Sequence, residues 1–132
     1  MRPTTALYWL GESAGALPLD AVESGHAGER GAWDSVTLHY RDPAHPAVAY
    51  IGVGVTDLNV RPDLKKPFEG WEVVRTVTTA GHEDRIYSVR GSKDLFYVAV
   101  RDGVQIDLYG SSDKAPMTQA ELIEAAKRLR LY

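Results

Sequence analysis

Four histidines, 18 acidic residues and no cysteine set the chemistry open to this chain of 132 residues. Without cysteine, thiolate catalysis, thiolate metal sites and disulfides are excluded. His26, His39, His45 and His82 form no pair at the spacings that put two imidazoles on one side of a helix or strand. His82 is followed by Glu83 and Asp84, but in a stretch that reads as a turn. Exposed histidine on a loop or polar strand face is ordinary, so no metal is expected. Gly11-Glu12-Ser13-Ala14-Gly15 has the G-x-S-x-G spacing of a nucleophile elbow. That device needs a parallel sheet and a helix directly behind the serine, whereas a Gly- and Ala-rich stretch follows here. No G-x-G-x-x-G opens a helix and no Gly-Lys-Ser/Thr occurs, so no nucleotide cofactor is expected.

What remains is a polar sheet face. Thr37, His39 and Arg41 alternate with apolar residues on one strand, as Gln105, Asp107 and Tyr109 do on another. If a helix covers the opposite face, His39, Arg41, Asp107 and Tyr109 are the candidate binding residues; the ordinary alternative is a solvated sheet face. Trp9, Trp33 and Trp71 read as core or rim packing before ligand stacking. Residues 11 to 33 hold five glycines and no evident period, so they read as one long connection that is costly to order. Such a loop is expected to border the functional surface, with Trp33 anchoring its far end.

The elements that must position these groups are mostly strands. Residues 35 to 41 alternate cleanly, with Val36, Leu38 and Tyr40 facing inward. Residues 47 to 55 place Ala49, Ile51, Val53 and Val55 on one face and Gly52 and Gly54 on the other, which implies a bend or a close approach. Strands follow at 71–79, 85–90, 95–101 and 104–109. Phe96, Val98 and Val100 share a face, as do Val104, Ile106 and Leu108. Pairing those two faces requires a three-residue turn at Arg101-Asp102-Gly103, opposing Val98 to Ile106. At the C-terminus Thr118 and Glu121 form a capping box and Met117 and Leu122 a staple. Leu122, Ala125, Ala126 and Leu129 form an apolar stripe, and Glu124 can pair with Arg128. The expectation is a single α+β domain over 1–132: an antiparallel meander of six to seven strands with one helix, 118–130, packed on one face.

Composition is ordinary for a folded domain, at 44% hydrophobic and 25% charged residues. A net charge of −3 without a basic stripe argues against nucleic acid. No apolar run reaches the length of a membrane span. Met1-Arg2-Pro3-Thr4-Thr5 reads as a start joined to a domain edge, so a signal or anchor upstream of this chain is expected, and the membrane is met only through it.

The hairpin Asp102-Gly103-Val104 to Tyr109, followed by Met117-Thr118-Gln119-Ala120-Glu121-Leu122-Ile123 and Ala126 to Leu129, resembles the ending of bacterial extracytoplasmic lipoproteins and anti-sigma-factor-like proteins. Their pattern is a dGv-x-v-x-l-x-G strand before a capped helix. Tyr8-Trp9-Leu10-Gly11 also resembles actinobacterial proteins of that kind. The likeness spans about a third of the chain and implies a non-enzymatic domain outside the cytoplasm, with no catalytic residue to transfer. The function expected is therefore binding or sensing of an unidentified protein or small molecule, on an extracytoplasmic, membrane-anchored protein. A small cone-shaped α+β enzyme using His39, Arg41 and Asp107, or a protein-binding adaptor or immunity protein, are the alternatives.

Overall fold

The computed structural model describes residues 6–25, 35–45, 49–58, 70–79, 81–112 and 115–132. In chain order the elements are β1 (Tyr8–Trp9), β2 (Ser13–Ala14), β3 (Leu17–Gly25), β4 (Ser35–Arg41), β5 (Ala49–Asp57), β6 (Trp71–Thr79), β7 (His82–Val89), β8 (Leu95–Arg101), β9 (Val104–Ser112), β10 (Ala115–Pro116), α1 (Gln119–Ala126) and β11 (Arg130–Leu131). The fold is α+β, and every strand pair is antiparallel. The main sheet runs β2-β3-β4-β5-β9-β8-β7-β6, with β10 also beside β9. Two meanders are thus joined where β9 returns to lie against β5. Among the described residues no helix is long and apolar enough to cross a membrane.

The sheet has nine strands, not six or seven. The added strands come mainly from the segment read as a structureless connection. Leu17, Leu19 and Ala21 are half-buried while Pro18, Asp20 and Val22 are exposed, a period of two that the small residues and glycines around it obscured. Residues 26–34, the rest of that connection, lie outside the described residues, and Trp33 with them. His82, Glu83 and Asp84 belong to β7, since Thr79 pairs directly with His82.

The β8–β9 hairpin differs from expectation by one residue. Arg101 pairs with Val104, and Val98 faces Asp107. Asp102 and Gly103 have φ of 51° and 79°, the two left-handed residues of a tight two-residue hairpin turn. The core-facing residues of β8 are therefore Tyr97 and Ala99, whereas Val100 is 49% exposed. Both faces of this part of the sheet carry apolar rows, so matching Val98 to Ile106 on hydrophobicity alone selects the wrong register.

The inner face buries Val36, Leu38 and Tyr40 of β4, Val53 and Val55 of β5, Ile86, and Val104, Ile106 and Leu108 of β9 against Leu122, Ala125 and Ala126 of α1. The helix is shorter than the expected 118–130. Its start is as anticipated: the Glu121 N–H donates to the Thr118 hydroxyl at 3.2 Å, and the Thr118 N–H to the Glu121 carboxylate at 2.9 Å. It ends at Ala126, and Arg130 and Leu131 then pair with Trp9 and Tyr8. Glu124 bonds Lys127 at 2.9 Å, not Arg128, because the turn begins there.

Asp84, 1% exposed, anchors the far end of this core. Arg101 grips its carboxylate in a fork of two 2.8 Å hydrogen bonds, and the Tyr97 hydroxyl donates at 2.6 Å. Burial, then the bond to Asp84, pushes the Tyr97 phenol up to about 12. Removing one partner of such a pair strands a buried charge. Arg101→Ala is expected to cost about 3 kcal/mol in denaturant unfolding. Gly110→Ala is expected to cost about 2 kcal/mol or more, since its Cβ would lie 2.1 Å from the Tyr50 carbonyl oxygen. Wild-type midpoints for both would refute this account of the packing.

Candidate functional site

The strand period places Thr37, His39 and Arg41 of β4 and Gln105, Asp107 and Tyr109 of β9 on the outer face, away from α1. Strand β5 lies between them, and its residues on that face include Tyr50, Gly52 and Gly54, with Gly52 opposite both His39 and Tyr109 and Gly54 opposite both Thr37 and Asp107. From β8 come Phe96 and Val98, and from β6 and β7 Trp71 and Tyr87.

An aromatic row crosses this face. Ring centroids are 5.6 Å apart for His39–Tyr50, 6.2 Å for Tyr50–Tyr109, 5.4 Å for Tyr109–Phe96 and 4.7 Å for Phe96–Trp71. Tyr87 flanks Trp71 at 5.9 Å. The Tyr109 ring lies over Gly52, where any Cβ would stand 2.6 Å from it. The glycine thus provides the close approach that its place in the strand implied, with a ring rather than backbone as its neighbour. A cavity of about 180 Å³ opens beside Tyr50, Phe96 and Tyr109.

At one end of the row a relay fixes the rings. His39 Nε2 donates to the Glu23 carboxylate and its Nδ1 faces the Tyr50 hydroxyl. Carboxylate, imidazole and hydroxyl in that order resemble the arrangement that activates a nucleophile. Here burial, and after it the neighbouring Tyr109, raise the Tyr50 phenol well above its ordinary value. The hydroxyl thus stays protonated at neutral pH, hydrogen-bonded to the imidazole. Arg41 Nε bonds Asp20 at 2.6 Å and is committed to that pair. His39, Arg41 and Asp107 share the face but do not converge.

Asp107 stands apart. Gln105, only 3% exposed, donates to it at 3.1 Å, and no charged group among the described residues moves its titration. Burial pushes its carboxyl from 3.8 up to about 6, with Gln105 opposing weakly. Glu23 and Asp20, from the segment taken for a loop, and Tyr50, Phe96 and Trp71 were absent from the sequence-derived candidates. Their signal was available in the alternation of β3 and in the aromatic positions of β5, β6 and β8.

A cavity of about 400 Å³ lies on the inner side between α1, Leu10, Ala14 and Ile51. Its acids are engaged, Glu121 by the Thr118 N–H and Glu124 by Lys127, while Arg128 also lines it. Among the described residues no cluster of three or more metal-ligating side chains occurs. In comparisons with known proteins, no family model, curated protein or solved structure matches the chain.

A carboxylate whose folded value is raised weakens the fold once it ionises. Its cost is absent below about pH 4 and grows as pH rises through about 6. Asp107→Asn is therefore expected to stabilise the protein by about 1–2 kcal/mol at pH 7, discounted for partial exposure, and by nothing at pH 4. Equal effects at both pH values, measured by denaturant unfolding, would refute the assignment.

Proposed function

We propose that this chain is a non-enzymatic binding or sensing domain and that its outer sheet face is the binding surface. One observation carries the reading: the unbroken row of aromatic rings from β4 to β6, held by a hydrogen-bonded relay and crossed by a half-buried carboxylate. Aromatic rings provide large apolar area at low entropic cost, and Asp107 adds a polar group that orients a ligand. The natural setting we propose is the outer side of a bacterial membrane, on a lipoprotein-like protein. The hairpin and capped helix support that setting. In the motif's strand the last glycine is Gly110, where a Cβ would meet the Tyr50 carbonyl. An adaptor that binds a protein through the same face is one form of this reading.

A small enzyme is the second reading, and Asp107 favours it, because a carboxyl near 6 is poised for proton transfer. A screen of small molecules and peptides by thermal shift tests the site. A ligand at 100 times its dissociation constant adds about 2.7 kcal/mol of stability. That gain is expected to vanish in Tyr109→Ala and to persist in Ala120→Arg, which blocks the cavity beside α1. The opposite pattern would move the site to the helix side and overturn the proposal.

A further inference from the structure

We propose that the notch over Gly54 on the outer face receives an organic cation, an ammonium or guanidinium group, which pairs with the Asp107 carboxylate against the Tyr109 ring. The inference rests on the outer face being the binding surface and specifies its ligand class. Strand register builds the notch. Gly54 lies between Thr37 and Asp107, and Asp107 between Gly54 and Val98. Among the described residues, the atoms nearest to a Cβ at Gly54 all belong to Asp107, with its Cβ at 3.7 Å and its Oδ2 at 3.9 Å, so the Asp107 carboxylate itself borders the space above Gly54. One pair along the strand the Tyr109 ring occupies the equivalent space over Gly52 and closes that end. Gly54 and Asp107 are both reachable by solvent.

Charge selects the ligand. An ionised carboxylate offers about four acceptor sites, and the Gln105 amide takes one of them. Among the described residues, the other charged groups facing this side are engaged with one another. From β4, Arg41 is held by Asp20 of β3, and His39 lies between Glu23 of β3 and Tyr50 of β5. From β7, Arg85 is drawn to Tyr87 and Glu83. Among the described residues, the half-buried Asp107 carboxylate thus has no positive partner of the kind such a group calls for. A cation from outside supplies it, and the Tyr109 ring face adds a cation–π contact. An anion would meet Asp107 as a like charge.

Benzylamine and benzamidine, cations at working pH, can be compared with benzyl alcohol and benzoate by calorimetric titration of the intact chain. We expect the two cations to bind at about pH 7.5 and benzoate not to. Binding should weaken about tenfold or more at about pH 4.5, where Asp107 is protonated. Asp107→Asn should lose the cations to a similar degree while remaining folded. Gly54→Val should also lose them, since its side chain fills the notch without a backbone clash, and circular dichroism confirms that the variant folds. Benzyl alcohol binding as well as benzylamine, with the same affinity in Asp107→Asn but lost in Tyr109→Ala, would overturn the cation assignment and leave the face as the binding surface. No cation binding at about pH 7.5 would also overturn the assignment. Failure of the face itself is read separately, from ligands whose effect survives Tyr109→Ala.

Discussion

A turn of two residues decides what each face of this sheet carries. Asp102 and Gly103 both adopt left-handed backbone, and that geometry joins β8 to β9 with Arg101 opposite Val104. A change of one residue in the loop would carry every side chain of one strand to the other face relative to its neighbour. With the register as it stands, Tyr97 and Ala99 meet Leu108 and Ile106 under the helix, and Val98 meets Asp107 on the far side. Strand β9 passes the same alternation to β5, and β5 passes it to β4. The turn thus sets Val98 and Phe96 on the face of Asp107 and Tyr109, and the β9–β5 and β5–β4 pairings add Tyr50 and His39 to it.

The outer face is not a second core, although it carries enough apolar area to suggest one. Most of its rings meet at tilted angles, Phe96 and Trp71 are stacked, and all but Tyr87 stay partly exposed; the space between them is set by what is missing from β5. Gly52 admits the Tyr109 ring onto the backbone, and over Gly54 the nearest atoms among the described residues are those of Asp107. Polar struts at the β3–β4 end, Asp20 to Arg41 and Glu23 to His39, give the row a fixed end. Such a surface is expensive to keep in a protein that uses its sheet only as scaffold, because rings and a carboxylate are both left incompletely satisfied.

Much of this was legible in the residues. The strict alternation of Ser35–Arg41 and the β-branched run of Trp71–Thr79 gave strands whose bounds the structure matches. The capping box at Thr118 and Glu121 gave the helix start. The shared face of Thr37, His39, Arg41, Gln105, Asp107 and Tyr109 followed from period two alone. What failed did so for identifiable reasons. Strand β3 was hidden because alanine, serine and glycine carry little hydrophobic signal. The hairpin was misread because Phe96 and Val98 are apolar yet face outward, so hydrophobic matching favoured a longer turn than the Asp-Gly pair builds. The helix end was misplaced because Leu129 continues the apolar stripe while the chain has already turned toward β1. Glu23 and Trp71 entered the site only through long-range pairing, which no local pattern encodes.

Two carboxylates on opposite faces of the same sheet show where stability and function part. Asp84 is enclosed by the helix side, and every direction it faces is answered: two bonds from the Arg101 fork and one from the Tyr97 hydroxyl. Its ionised form is balanced within the chain, which is what a structural role requires. Asp107 has the same chemical group, is also withdrawn from water, and has the Gln105 amide beside it where Asp84 has a guanidinium. No cation from its own chain moves its titration among the described residues, and burial alone accounts for the rise toward 6. A fold selected only for stability would place an amide or an apolar residue there, since an unpaired charge in a half-dry site works against folding at neutral pH. The carboxylate makes physical sense if its balancing charge comes from outside the chain. The space over Gly54, beside the Asp107 carboxylate, is where that charge would sit.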